Sequence, residues 1–273
     1  MENTKLKGGL NELIEDARDI RFGELFTQVD PATLPSDFDL GDQPVKLQDD
    51  DSCTQQAMSL ASQFQEGVEL DPYYTFAYVK QNDPDKWGSD LRSAAKGQCE
   101  LGAIEIKDNT LSTEDRKYFD KYPLELKDKA AVHKKKTYVF VKGRYDAFDD
   151  IRTSMWRFRN EKRAVVFGVM WVWALNEYIL NGTSHDGFGH AICCRGWATF
   201  DGKPYLKIQN SYGKEAGLNG IHLMSRETIN EFVERYGAIM FTDFTKEELR
   251  LHIQKGTPID TNFLRRLIIR LWN

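Results

Sequence analysis

The chain has 273 residues, 41% of them hydrophobic and 12% aromatic, enough to bury one large domain or two closely packed lobes and too apolar for a disordered chain. Its net charge is −5 and its lysines and arginines are scattered rather than striped, which argues against a nucleic-acid partner. The opening "MENTKLKGGLNELIEDARDI" lacks the apolar core of a secretion signal, and no run is long and apolar enough to span a bilayer. Four cysteines (Cys53, Cys99, Cys193, Cys194), two of them adjacent, suit a reducing compartment better than a disulfide framework, so the expectation is a cytoplasmic protein without a membrane partner.

Residues 1–33 read as a polar lead-in strap with one helical-looking piece from Leu10 to Ala17, followed by the Pro-punctuated "VDPATLPSDFDL". From Ser52, a natural N-cap, Cys53, Ala57, Leu60, Ala61 and Phe64 fall on one helical face, and Gly67 is a stop. "DPYYTFAYVKQ" and "SDLRSAAKGQCELG" give two further helices. After "HKKKTYVFVKG" the texture turns to strands: "RAVVFGVMWVW", "HAICCRGWATF" with the turn Asp201-Gly202, "PYLKIQNS" and "AIMFTDF". Helices first and strands afterwards predict an α+β chain of two lobes, the helical one over about 45–125 and the β one over about 126–244, with a ligand cleft between them. The tail, 245–273, holds two helical patterns. The second, "DTNFLRRLIIRLWN", reads as a helix docked on the body, with a partner or self-association surface as the next alternative and a basic amphipathic membrane helix as the last.

A lone cysteine is more often core than catalyst. Three features argue otherwise for Cys53. It opens a helix, where unpaired N–H groups and the dipole favour a thiolate, and Gln48 lies in the loop before it. Far downstream, "DGFGHAICCRGW" and "KIQNSYG" put His190 at the start of one strand and Asn210 at the end of its hairpin partner. Adjacent strands lie about 4.8 Å apart, so the amide oxygen of one can reach the imidazole of the other. A thiol, a histidine to take and return its proton, and an amide to fix the tautomer are what thiol catalysis needs.

The segments "LPSDFDL", "VKLQDDDSCTQQAMSLA", "WGSDLRSAAKGQCELG", "RAVVFGV", "GHAICCRGW" and "IQNSYGKEAGLNGIHLM" occur in an order that resembles the papain-like cysteine peptidases of bacterial or phage type, over roughly residues 34–242. The resemblance implies a papain-like two-lobe fold, with a β-barrel-like second lobe and no long propeptide. It implies hydrolysis of polypeptides through an acyl-thioester on Cys53, with His190 as base and Asn210 orienting it, and needs no cofactor. Gln48 is implied as an oxyanion donor, whose loss would cost about 10²–10³ in turnover. Trp87 and Gly88 are implied to line the substrate cleft, Gly88 by backbone pairing, and Ala191 to wall a side-chain pocket. The chain departs from the family's pattern at Thr54 and Tyr212, both tryptophan there. The Gln48–Cys53 spacing is one residue shorter, and Asp49, Asp50 and Asp51 replace the loop's glycines.

The competing functions are a non-catalytic peptide binder with the same cleft, an acyl transferase using the same residues, and a regulatory partner acting through the C-terminal helix. His190 is preferred over His185 as the base because "GHA" runs into a strand. Adjacent Cys193 and Cys194 lack the spacing of a metal pair, so no metal is expected. His133, His222 and His252 read as surface or packing residues.

Overall fold

The computed structural model describes residues 8–81, 87–255 and 259. Eight α-helices are described: α1 Phe22–Leu25, α2 Cys53–Glu66, α3 Tyr73–Lys80, α4 Leu91–Glu100, α5 Leu124–Ala131, α6 Ala147–Arg157, α7 Arg226–Tyr236 and α8 Lys246–Lys255. The ten strands are β1 Phe38–Asp39, β2 Leu70–Asp71, β3 Ile104–Glu105, β4 Thr137–Phe140, β5 Val165–Trp171, β6 Ile179–Leu180, β7 Phe188–Phe200, β8 Lys203–Gln209, β9 Ile221–Ser225 and β10 Ala238–Thr242. Eight of them form one sheet, ordered β4-β10-β5-β7-β8-β9-β6, with β1 paired to β7. β2 and β3 form a separate ladder. The α+β expectation holds.

Local chemistry accounts for these boundaries. Asp90 and Ser225 cap α4 and α7 by accepting the backbone N–H groups of Ser93 and Thr228. Gly67, at φ 71°, ends α2 where a Cβ would be strained. Asp201 and Gly202 both take positive φ, 48° and 72°, the pairing a tight β7–β8 hairpin demands. Ser52 stands at the N-cap position of α2 but its side chain makes no capping bond. Asp50 Oδ1 instead accepts the Ser52 N–H at 3.0 Å.

α2 crosses the molecule against β7, β5 and α4. Its predicted apolar stripe is buried, and so is its polar side, from Cys53 through Phe64 without a break. The polar side chains therefore carry bonds: Ser59 Oγ donates to the Leu70 carbonyl at 2.7 Å, and Gln63 Oε1 accepts the Leu70 N–H at 3.1 Å. Each such buried group left unmade would cost about 1–3 kcal/mol.

The main core lies between α2 and the sheet, while a small second core under α3 joins Tyr74, Ala77, Ile104, Tyr122, Leu126 and Ala130. That second core draws in α5, so the helical layer runs past residue 125. The strand-rich half also carries two amphipathic helices, α6 and α7, that the strand texture concealed. In the tail, α8 forms as expected and buries Leu249, while "DTNFLRRLIIRLWN" lies outside the described residues.

The helix expected from Leu10 to Ala17 does not form. Residues 8–13 run extended, because their backbone groups find partners on two flanking elements that a helix would have withdrawn. Leu10 N–H donates to the Gly189 carbonyl at 3.1 Å, Ser89 N–H to the Gly9 carbonyl at 2.7 Å and Asn11 N–H to the Ser89 carbonyl at 3.1 Å.

Candidate active site

Cys53 is the first residue of α2 and is 0% exposed. Its sulfur accepts the Gly9 N–H at 3.2 Å. Burial pushes the thiol up to about 11, against the pull of the Ala191 and Gly9 backbone N–H groups, with the charge of Asp51 adding to the rise.

His190 lies on β7, also 0% exposed, and Asn210 directly follows β8. The expected juxtaposition is present: His190 Nε2 is 2.9 Å from Asn210 Oδ1. Because Oδ1 also accepts the Ser211 N–H at 2.7 Å, it is the oxygen that faces the ring, so Nε2 carries the proton and Nδ1 is left basic. Burial lowers the imidazole to about 4, with the Asn210 bond opposing the fall and His222 adding to it. With both groups dry, burial disfavours the charged form of each and so opposes a thiolate–imidazolium pair.

Tyr212 stacks on His190, with centroids 4.4 Å apart and planes 12° apart, and its hydroxyl is 3.0 Å from Nδ1. A phenol donating within the imidazole plane would hold the centroids much farther apart. The oxygen therefore lies over the ring face, and the in-plane lone pair of Nδ1 points elsewhere. Burial first, and then the nearness of the Cys53 sulfur, which would carry negative charge on ionising, keep this phenol protonated.

Gln48 is tied to the same hairpin end. Its backbone N–H donates to the Ser211 carbonyl at 2.8 Å, and its Oε1 accepts the Ser211 hydroxyl at 2.5 Å. Its Nε2 donates to the Asp50 carbonyl at 2.9 Å.

Two residues of the site were not expected. His222, read from the sequence as a surface or packing residue, is fully buried: its Nδ1 donates to the Glu177 carbonyl at 2.6 Å, which leaves Nε2 to accept from Asn210 Nδ2 at 3.5 Å. A carbonyl, a histidine, an amide and His190 thus form one polarised chain. Trp171, at the end of β5, sets its edge or face against His190, Tyr212 and His222, each at 5.4 Å. The one sign of His222 in the sequence was a histidine inside the apolar run "IHLM"; Trp171 had no sign beyond its place in a strand.

The remaining candidates are distributed around the strap, residues 8–13. Trp87 keeps its ring largely in solvent, 59% exposed, and offers its carbonyl to Asn11 Nδ2 at 3.2 Å. Gly88, at φ 63°, faces Gly9 so closely that a Cβ would lie 1.8 Å from the Gly9 carbonyl oxygen, although the backbone pairing itself passes to Ser89. Ala191 is buried beside a small cavity shared with Gln56, Leu60 and Asn210. His185 is exposed and pairs with Glu231 at 3.0 Å. Among the described residues no three His, Cys, Asp or Glu side chains are grouped to hold a metal.

The strap runs between the two walls, Gly88–Ser89 and Gly189, and roofs Cys53. It pairs in parallel with Ser89 and turns an amide N–H, not a carbonyl carbon, toward the sulfur. In that register it is not placed for attack.

A buried cysteine at a helix start and an amide-held histidine on the facing sheet are the groups that a thiol hydrolase uses. The model of the papain family of cysteine proteases matches residues 53–239, more than half of the chain, and the protein belongs to that family. It is a cysteine-type peptidase.

Its fold is similar to that of xylellain, a cysteine protease from Xylella fastidiosa, with a TM-score of 0.66 and 18% identity over 87% of this chain and 96% of that one. It is similar to a procathepsin B of Trypanosoma congolense, with a TM-score of 0.61 and 14% identity over 87% of each chain. Bromelain from Ananas comosus, solved with the E64 inhibitor, gives a TM-score of 0.57 and 14% identity over 77% of this chain and 99% of that one. No curated protein matches the sequence.

Proposed function

We propose that Cys53 is the nucleophile, His190 its base and then its acid, and Asn210 the group that fixes the imidazole. The thiol proton passes to His190 Nδ1 as sulfur adds to a peptide carbonyl. The same proton leaves with the amine, and water then hydrolyses the thioester with His190 again as base. The Cys53 N–H and the Gln48 amide are the proposed oxyanion donors. The observation that carries the reading is the tautomer: the Oδ1 of Asn210, pinned by Ser211 N–H, leaves the basic nitrogen of His190 on the side away from Asn210.

Residues 8–13 are proposed to hold this site closed, since they bury the thiol and the imidazole and use the edge that an extended peptide would need. Polypeptides are the substrate class, as for the family. The four cysteines are all free, which supports a reducing, cytoplasmic setting.

The test is turnover of a peptide library by the wild type and by Cys53→Ala. Cleavage that vanishes in the variant is expected, and equal cleavage by both, or amide formation without cleavage, overturns the assignment.

A further inference from the structure

The three aspartates before Cys53 put negative charge where a thiolate must form, and the peptidase reading gives them no task. Their side chains do different things. Asp50 caps Ser52 from within the turn. Asp51 leaves it: its carboxylate, with 10% of the side chain exposed, accepts Lys80 Nζ at 2.6 Å and the Gly88 N–H at 2.5 Å. On the other side of the nucleophile, the Ser89 hydroxyl lies 2.6 Å from Thr54 Oγ1 and accepts Gln55 Nε2 at 3.0 Å. The edge Gly88–Ser89 is therefore fastened at two points to the residues flanking Cys53 by buried polar bonds.

Resting on the reading of Cys53 as nucleophile, we propose that Asp51 is a positioning residue that sets the peptide-pairing edge over the sulfur. It thereby governs both the seat of the strap and the binding of substrate in that same seat. Charge-assisted bonds from a buried carboxylate are strong and directional enough for the task. The fit at the edge is close: a Cβ on Gly9 would lie 2.0 Å from the Asp51 carbonyl oxygen and one on Gly88 1.8 Å from that of Gly9, so a small displacement of Gly88 unseats the strap.

The consequence has opposite signs for two reagents. A small thiol reagent needs only the strap to lift, whereas a peptide needs the edge in place. In full-length Asp51→Ala, iodoacetamide labelling of Cys53 is expected to accelerate roughly tenfold, while KM for a cleaved peptide rises about tenfold and kcat changes less than about threefold, on the scale of one lost charge-assisted bond. Asp51→Asn keeps an oxygen for the Gly88 N–H and should fall between wild type and Asp51→Ala. Equal effects in the two variants would mean that the charge near the thiol acts alone, which overturns the proposal. Unchanged labelling of Cys53, a fall in kcat at constant KM, or equal acceleration at buried Cys193 and Cys194 also overturns it. A wild type that cleaves no peptide refutes the peptidase reading instead, and the labelling comparison still decides the role of Asp51.

Discussion

Adding one methyl group to the strap tests whether it closes the site. In Gly9→Ala the new Cβ would stand 2.0 Å from the carbonyl oxygen and 2.7 Å from the carbonyl carbon of Asp51. Both are backbone atoms, so no side-chain rotation makes room and the strap must leave its seat. Cys53 then regains water. With the strap seated, burial pushes the thiol from an ordinary 9.0 up to about 11. At any pH below about 9, the difference of roughly two pH units corresponds to about a hundredfold less thiolate, and thiolate is the form that alkylates. The labelling rate of Cys53 in Gly9→Ala should therefore exceed that of wild type by about a hundredfold at pH 8 from ionisation alone, with added accessibility raising it further.

The assay is the iodoacetamide rate at each cysteine, mapped by mass spectrometry from pH 6 to 10. The sign is fixed: the wild-type rate at Cys53 climbs about tenfold per pH unit through the whole range, while that of the variant levels off near its lower pKa. Cys99 and Cys194, both pushed up to about 12 by burial, serve as unchanged references. Equal rates and equal pH dependence at Cys53 in the two proteins would refute the closed-site reasoning.

His222→Phe keeps the packing on Trp171 but leaves Asn210 Nδ2 without its acceptor; kcat should fall about tenfold with KM nearly constant, and His222→Gln should recover part of it by steady-state assay. Lys46 is half-buried, with its ammonium donating to Ser59 Oγ and the Leu70 carbonyl, and burial lowers that ammonium to about 8 despite Asp71 and Glu69. The folded chain thus binds fewer protons at Lys46 than the unfolded chain between about 8 and 10.5, so stability rises with pH across that window and the cost is fully present below it. Denaturant unfolding at pH 7 and pH 10 should show this gain, up to about 3 kcal/mol, in wild type and not in Lys46→Met.

The parts of the site that were legible in the sequence are those set by chain-local rules. Cys53 opens α2 because Gly67 and the apolar spacing frame that helix. His190 meets Asn210 because Asp201-Gly202 sets the hairpin: its ladder ends at the pair Cys193–Gln209, so Asn210, the next residue, and His190, three residues back along β7, lie at the same end of it, where their side chains meet. What escaped depends on distant partners. His222 owes its role to β9 pairing with β8, which sets it opposite Ile208 and next to Asn210. The spacing of Leu10 and Leu13 suggests a helix from Leu10 to Ala17. Two walls that are distant in sequence, Ser89 and Gly189, offer the strap's backbone better use, and tertiary pairing outweighs a few tenths of a kcal/mol of propensity.

On the proposed reading, the strap and the substrate compete for one edge, and the competition is intramolecular. The strap is held by backbone bonds to Ser89 and Gly189, by a buried Leu10, and at its exposed end by the ion pair of Glu12 with Arg235. The ion pair adds little at the surface, about 0–1 kcal/mol. The burial of Leu10 contributes about 1.5–3 kcal/mol, and tethering supplies an effective concentration on the order of millimolar. A peptide at micromolar concentration therefore meets a filled cleft, and the strap acts on KM before it acts on kcat. Gly9→Ala should lower the apparent KM while leaving kcat at saturating peptide close to that of wild type, because the chemistry of Cys53, His190 and Asn210 is the same once the cleft is open. A lower kcat at unchanged KM would mean instead that the strap is part of the productive site, with Gly9 N–H supporting the sulfur during attack.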